Sequence, residues 1–588
     1  MNKKIRLFPD FEKKHSPRFS DYTNLKYEKY YDLFKNQSAE NRFLQVESKS
    51  SNDQVPAAYT YLGQLLIHEI TFTLSNQRHF NALSHETTEY RSAFIDLDAV
   101  YGRGPLVDYY FYDQEKYEGR LLLFIPGYDT KINSNDSDRL KDFSTLFPLD
   151  LPRTEQGTPL IPDKRNDENI IIRQLHLALM CLHNTIAIDL LEKDQDYQEF
   201  IRKKQQLLEL DNDTISTLEE STQLSMLFTR EEMDLLDAQI GNDQSAAERK
   251  ELFIRAFQIK SRKKNLSIFE RIFKQAKKEV LFIFQWVILM DFFPKIAGNE
   301  AFLRLKEKIY AGKPSTTPRT IPIEFSSAAG RFGHAMVRSR YEFAYLSGRN
   351  RINLTNPSPP FSKKSNQFVN WSTFTGKNKN PDGTRKQDHQ ASGELSPLIV
   401  SPMTNELPTL ESLSKNIVFR NLMRGAEDNI PNGQYIAEQI NGAPVINYQK
   451  LNHSTEGRKL LRHIIKNLPL PKSIPSIEEH LAMICNRTPL WLYILIEAKF
   501  CPEGKHLGPV GAHIFEETLH RVFNVEAFTE MRTYIESKSL SKPLSTIVQQ
   551  GSFSPLEDKH QRGDDSLVAL FRAAGVYCGA LAEKSHTP

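Results

Sequence analysis

Long helical runs with almost no breakers constrain this chain more than any other feature. Ile170 to Leu191 and Ile268 to Phe293 keep apolar residues at helical spacing over several turns, and Pro489 to Lys499 opens a third such run. Clean alternating stretches of the kind that make half-buried strands are scarce. The pattern predicts a mainly α protein with very little β. The most apolar stretch, Val280 to Phe293 (VLFIFQWVILMDFF), is interrupted by Gln285 and Asp291 and is shorter than the roughly 20 residues a membrane span needs. It is expected as a buried core helix, with no transmembrane segment in the chain.

A chain of 588 residues is long enough for one large helical domain or for several modules. Apolar residues make up 39% and charged residues 25%, and the formal net charge is only +3, the composition of a globular protein without a polyanion-binding stripe. No nucleic-acid partner is expected. Cys181, Cys485, Cys501 and Cys578 form no C-x-x-C pair, which disfavours a structural zinc site and a dense disulfide framework. The N-terminal MNKKIRLFPDFEKKHSPRF has basic residues but no apolar region behind them, so no standard signal peptide is expected. A cytoplasmic location, or export by another route, follows as the expectation.

Two segments stand apart from the helical runs. From Gly348 to Leu398, Pro, Ser, Asn, Lys and Gly crowd together, which predicts a long surface loop carrying short elements. About Arg202 to Leu266 the chain is highly charged but keeps patches such as LSMLF and ELFIRAF, which predicts an insertion of amphipathic helices. Residues 1–54 are expected as an N-terminal extension, 55–530 as the main domain, and 531–588 as a C-terminal helical tail. The first fifty-odd residues and the segment after Ser552 are expected to wrap the periphery.

Several polar pairs at helical spacing could carry chemistry. In YTYLGQLLIHEITFT, Gln64 and His68 are four apart and share a helix face. A zinc-protease H-E-x-x-H is excluded, because Phe72 stands where the second His would be. In DKRNDENIIIRQLHLALMCLHN, Arg165 and Glu168 open a long helix, where an acidic residue also has a plain capping role. EFSSAAGRFGHAMVR sets Arg331 and His334 three apart, and RNLMRG does the same for Asn421 and Arg424. Taken singly, His68 is as readily a satisfied core or surface histidine, and the last two pairs could be ordinary polar residues on the surface.

Read together, these segments resemble a family. YTYLGQLLIHEITF, FIDLDAVYGRGPL, DKRNDEN with LHLALMCLHN, FQWVILMDFFPKI, FSSAAGRFGHAMVR, RNLMRG with IPNGQ, and TPLWLYILIEA with LGPVGAHI stand in the order typical of bacterial members of the animal-type haem peroxidases, the peroxidase-cyclooxygenase superfamily. The resemblance runs from about Val55 to Phe528. It implies one large, mainly α domain with haem b between central helices. It makes His68 the distal histidine, Arg165 its partner, Gln64 a polar group lining the cavity, and His334 the proximal ligand of the haem iron. Asn421 is then the residue bonded to the other ring nitrogen of His334, and Arg331 and Arg424 lie near the haem propionates. It also implies a calcium ion held by Glu69, Ser92, the Phe94 carbonyl, Asp96 and Asp98, with Glu69 longer than the family's usual Asp.

The departures bear on chemistry. Where mammalian members carry an Asp before the distal His this chain has Ile67, and Asn169 stands where one of them uses a Met for a covalent link, so at most one ester to the haem can form, through Glu168. Fewer links imply a less oxidising haem. The resemblance therefore implies a peroxidase that takes hydrogen peroxide and a small electron donor: bromide, iodide, thiocyanate or a phenol in preference to chloride. The nearest alternative is a fatty-acid dioxygenase or cyclooxygenase, which places a radical-forming Tyr three residues before the proximal His; here that residue is Arg331. A haem-binding homologue acting through protein contacts of the 202–266 insertion is the alternative from another class.

Overall fold

The computed structural model describes, apart from a few isolated positions, residues 48–71, 94–126, 150–209, 227–239, 245–312, 320–345, 348–353, 367–376, 390–400, 417–442, 446–467, 487–536 and 566–574. The elements used below are strand β1 (Ser51–Pro56) and helices α1 (Ala57–Ile70), α2 (Ile170–Lys193), α3 (Gln195–Glu209), α4 (Arg230–Gln239), α5 (Ala246–Trp286) and α6 (Phe293–Tyr310). A 3-10 helix, Ala329–Met336, follows, then strands β2 (Arg340–Tyr345), β3 (Gly348–Asn353) and β4 (Ala391–Gly393), and helices α7 (Ile417–Glu427), α8 (Leu490–Phe500), α9 (Pro509–Val522) and α10 (Ser566–Ala573). The architecture is mainly α, as the sequence predicts. Strand pairing is confined to small sheets, such as β1 with β4 and the hairpin of β2 and β3.

Local chemistry sets where the central helices begin and end. Asn169 caps α2 by accepting from the amides of Ile171 and Ile172 at 3.0 Å, satisfying two of the donors a helix start leaves open. α1 has no side-chain cap; its first amide, on Ala57, donates instead to the Gln390 carbonyl at 2.8 Å, so a distant segment fixes its start. Thr71 is extended and stops α1, and its hydroxyl donates to the Ile67 carbonyl. α1 packs on α2 and on the 3-10 helix, and α8 covers the other side of that 3-10 helix.

The apolar run around Val280 to Phe293 is buried, as expected, but it is not a simple α-helix. α5 runs 41 residues and passes into a π-helical stretch, Val287–Phe292, before α6. The two polar interruptions are tie points inside the core. Gln285 donates to the Ile95 carbonyl, while Asp291 accepts from the Tyr59 hydroxyl at 2.8 Å, from Lys295, and from the Leu567 amide at 3.1 Å. Gly63 lets α1 approach this stretch: a Cβ there would sit 3.1 Å from the Phe292 ring. α2 and the α5–α6 rod are long and apolar enough to cross a membrane, and both are buried inside the protein.

Three expectations change. The charged 202–266 segment does form helices with an apolar cluster of their own, including Leu207, Phe228, Phe253 and Phe257. Its last part, however, is the beginning of α5, so insertion and core share one continuous helix. The 348–398 segment is not surface loop throughout, because Trp371, Phe374 and Ser392 are fully buried. Nor is all of the tail after Ser552 peripheral: α10 buries Leu567, Leu570 and Phe571, and Phe571 stacks on Trp371 with ring centroids 4.0 Å apart.

Candidate active site

Among the described residues, α1 is buried along its whole length except at Gln64 and Ile67. These two and His68 fall on one strip of the helix, so a core helix keeps one accessible strip inside the protein. Facing it is the 3-10 helix, where Arg331, Gly333 and His334 keep accessible surface while their neighbours are buried. The two walls touch at one edge, where a Cβ on Gly330 would lie 3.2 Å from Ile67 Cδ1. Interior side chains that keep accessible surface on two opposed walls are what an internal hollow produces.

His334 lies deep in the protein. Burial pulls its pKa down to about 3, and the charges of Arg331, Arg420 and His68 push the same way. Its imidazole is therefore neutral, with a lone pair to give to a metal. The buried Asn421 amide backs it, with the amide nitrogen 3.2 Å from His334 Nδ1 and the amide oxygen accepting from Arg331 Nη1 at 3.4 Å. The structure brings Asn421 and His334 together, with the amide nitrogen facing the ring. Turning it over would set the oxygen against an Nδ1–H and leave Nε2 free to ligate.

On the opposite wall, His68 is 7% exposed and its Nδ1 lies 2.9 Å from Asn166 Oδ1. Asn166 Nδ2 in turn lies 3.0 Å from Nδ1 of His176, a fully buried residue of α2. The sequence reading passed over both residues. Only their places, one after Arg165 and one on the first turns of α2, could have drawn notice. The turn that carries Asn166 is held by a buried charge network: Asp163 caps it by accepting from the Arg165 amide, and Asp167 accepts from Arg153 and Arg173.

Arg165 reaches this wall from the same turn. Its guanidinium bonds the Asp163 carboxylate at 2.7 to 3.2 Å and donates from Nη2 to the His68 carbonyl at 2.8 Å. It therefore meets the backbone of His68. Glu168 is half-buried; it accepts from Gln64 Nε2 at 2.8 Å, and burial raises its pKa against the pull of Arg165 and Arg420. Arg424 sits 3.4 Å from Asp428, on the helix that carries Asn421. Arg420 is a cation the sequence reading missed. It is exposed, and its charge reaches both His334 and Glu168.

A second cluster lies just past the end of the strip. Carboxylate oxygens of Glu69, Asp96 and Asp98 lie within 4.8 Å of one another. The Glu69 carboxylate accepts from the amides of Asp96 and Ala99 at 3.0 and 3.1 Å, so it also folds the loop that brings the other two. Phe94 lies at the start of this loop; Ser92 falls outside the described residues. His183, by contrast, is a satisfied core histidine, bonded to Tyr101 and to the Leu121 carbonyl.

The donor set fits iron porphyrin. It offers a neutral imidazole backed by an amide, a second imidazole tied by its Nδ1, partly accessible side chains on both walls, and guanidinium groups nearby that suit carboxylates.

A family comparison agrees over part of the chain. The family model for animal haem peroxidase matches residues 256–482, the stretch that includes Arg331, His334, Asn421 and Arg424. Among solved structures, the chain is similar to peroxidase A from Dictyostelium discoideum at 13% identity and a TM-score of 0.45, covering 90% of this chain and 93% of that one. It is also similar to fatty acid alpha-dioxygenases from Oryza sativa (12% identity, TM-score 0.44, 88% and 79% covered) and Arabidopsis thaliana (11%, 0.48, 91% and 75%). No curated protein matches the chain. The animal haem peroxidases are haem-binding oxidoreductases. Over residues 256–482, which hold His334 and its partner Asn421, the chain is similar to the animal haem peroxidase family.

Proposed function

We propose that the chain is a peroxidase that reduces hydrogen peroxide and oxidises a small donor: a halide other than chloride, thiocyanate or a phenol. The observation that carries this reading is a neutral, amide-backed His334 close enough to sense the charge of a second imidazole, His68. Haem would be held by His334 and would supply the iron that takes up the oxidising power of the peroxide. Arg331, Arg420 and Arg424 are the cations available to its propionates, and Glu168 is the carboxyl available for a single ester.

His68 does the acid–base work. With its Nδ1 engaged by Asn166, its Nε2 takes a proton from one oxygen of hydrogen peroxide and returns it to the other as the O–O bond breaks. Gln64 donates to Glu168, whose carboxyl burial raises, and the two form a polar edge of the same site. Arg165 holds the end of α1 in place through the His68 carbonyl. Glu69, Asp96 and Asp98, with the Phe94 carbonyl and Ser92, are the proposed calcium ligands and would pin the same helix end.

The dioxygenase reading needs a phenol at position 331, where this chain has an arginine bonded to the Ser326 carbonyl. The test is reconstitution of the purified protein with hemin. A Soret band that is lost in His334→Ala, and turnover of a phenolic dye with peroxide that falls by about 10² or more in His68→Leu, are expected. A Soret band indifferent to His334, or rapid oxygen uptake with linoleate in place of dye turnover, overturns the proposal.

A further inference from the structure

The geometry points to Asn166 as the residue that fixes which nitrogen of His68 carries a proton, and to His176 as the residue that fixes which way Asn166 faces. The three groups form one chain of hydrogen bonds: His68 Nδ1 to Asn166 Oδ1 at 2.9 Å, and Asn166 Nδ2 to His176 Nδ1 at 3.0 Å. An amide oxygen only accepts and an amide nitrogen only donates. Nδ1 of His68 therefore carries hydrogen and Nδ1 of His176 is bare. The consequence falls on the other ring nitrogens: His68 Nε2 keeps its lone pair, and His176 Nε2 holds the proton.

His176 suits this part. It is fully buried, and burial pulls its pKa down to about 4 although Asp163 and Asp167 pull the other way. A neutral ring can accept the Asn166 N–H, and an imidazolium could not. Its Nε2 has no hydrogen-bond partner among the described residues, so Nδ1 is its one anchored atom. A buried nitrogen without a partner destabilises the fold, and it is tolerated at a position whose other nitrogen orients Asn166.

The arrangement also survives proton transfer. When His68 takes up a proton at Nε2, both ring nitrogens carry hydrogen and Nδ1–H must still donate. Asn166 Oδ1 already faces it, so nothing has to turn during the cycle. With the amide reversed, an N–H would meet an N–H. Asn166 and His176 are thus positioning residues that act through His68. The use of the lone pair rests on the peroxidase reading; the tautomer itself does not.

The test is solid-state NMR of the full-length protein labelled with ¹⁵N-histidine, without and with hemin. His68→Gln identifies the His68 signals, and His176→Gln those of His176. His68 should show a protonated Nδ1 and a bare Nε2, and His176 the reverse. Asn166→Leu should move His68 to the Nε2–H form or to a mixture, and Asn166→Asp, which keeps an acceptor, should restore Nδ1–H. In the hemin-loaded protein, Asn166→Leu should slow the reaction with peroxide about ten- to a hundredfold while the Soret band stays intact, part of the ~10²–10⁴ a placed base supplies. An Nε2–H on His68 in the unmodified protein, or an unchanged tautomer in Asn166→Leu, overturns the inference. If Asn166→Leu does not fold, the spectrum of the unmodified protein decides alone. A protein that shows the expected tautomers but no His334-dependent Soret band refutes the peroxidase reading and leaves this one standing.

Discussion

Glu497 on α8 should make the protein lose stability as the pH rises, and replacing it with Gln should remove that loss. α8 is the helix that covers the His334 segment, and its Trp491 indole donates to the Arg331 carbonyl. The Glu497 side chain is fully buried, and its Oε2 accepts from the Val510 amide at 2.9 Å, at the start of α9. A helix start favours a carboxylate by about 0.3–1 kcal/mol. Burial is the larger effect and pushes the carboxyl up to about 8. The unfolded chain has released this proton above pH 4.5 while the folded chain still holds it, so stability falls with rising pH until the folded carboxyl ionises near 8. Each pH unit in that window costs about 1.4 kcal/mol, and the whole window amounts to about 5 kcal/mol as an upper figure. Glu497→Gln keeps an acceptor for the Val510 amide and cannot ionise. Urea unfolding followed by circular dichroism at pH 5, 6, 7 and 8 should show the two proteins close at pH 5. The variant should then gain on the parent by about 1 kcal/mol per pH unit, at an unchanged dependence on urea. Glu168 and Glu279 are also raised by burial, but they are common to both proteins and cancel in the difference. Parallel curves across the window would refute the reasoning.

Two further outcomes follow from the packing and the acidic cluster. Phe571→Ala removes the ring stacked on Trp371 and should cost about 3–5 kcal/mol, read as a lower urea midpoint; a loss under about 1 kcal/mol would mean that α10 does not anchor to the core. Calcium at a hundred times its dissociation constant should stabilise the protein by about 2.7 kcal/mol, and Asp96→Asn should abolish most of that gain; a midpoint that ignores both calcium and EGTA speaks against the ion.

Helices were legible in the sequence because their signal is local. The run from Ile170 onward carries its own cap in Asn169, and neither needs a distant partner to be recognised. Gln64, His68, Arg331, His334 and Asn421 were legible as candidates because the motifs around them stand in a familiar order. Burial misled that reading where composition stood in for packing. Trp371 and Phe374 lie in a stretch rich in turn formers, yet they are core residues because β4 and α10 close over that region.

By itself the sequence determined the mainly α class, the long core helices and the residue types at the candidate site, since periodicity, capping and motif order are properties of neighbouring residues. The tertiary structure decided which polar atoms meet. It set Asn166 against His68 across 98 residues of chain and Asn421 against His334 across 87, and it turned Arg165 toward a backbone carbonyl. It also brought the charge of Arg420 within reach of His334 and Glu168. A hydrogen bond depends on distance and angle between atoms, and no local pattern along a chain encodes those for residues that meet only after folding.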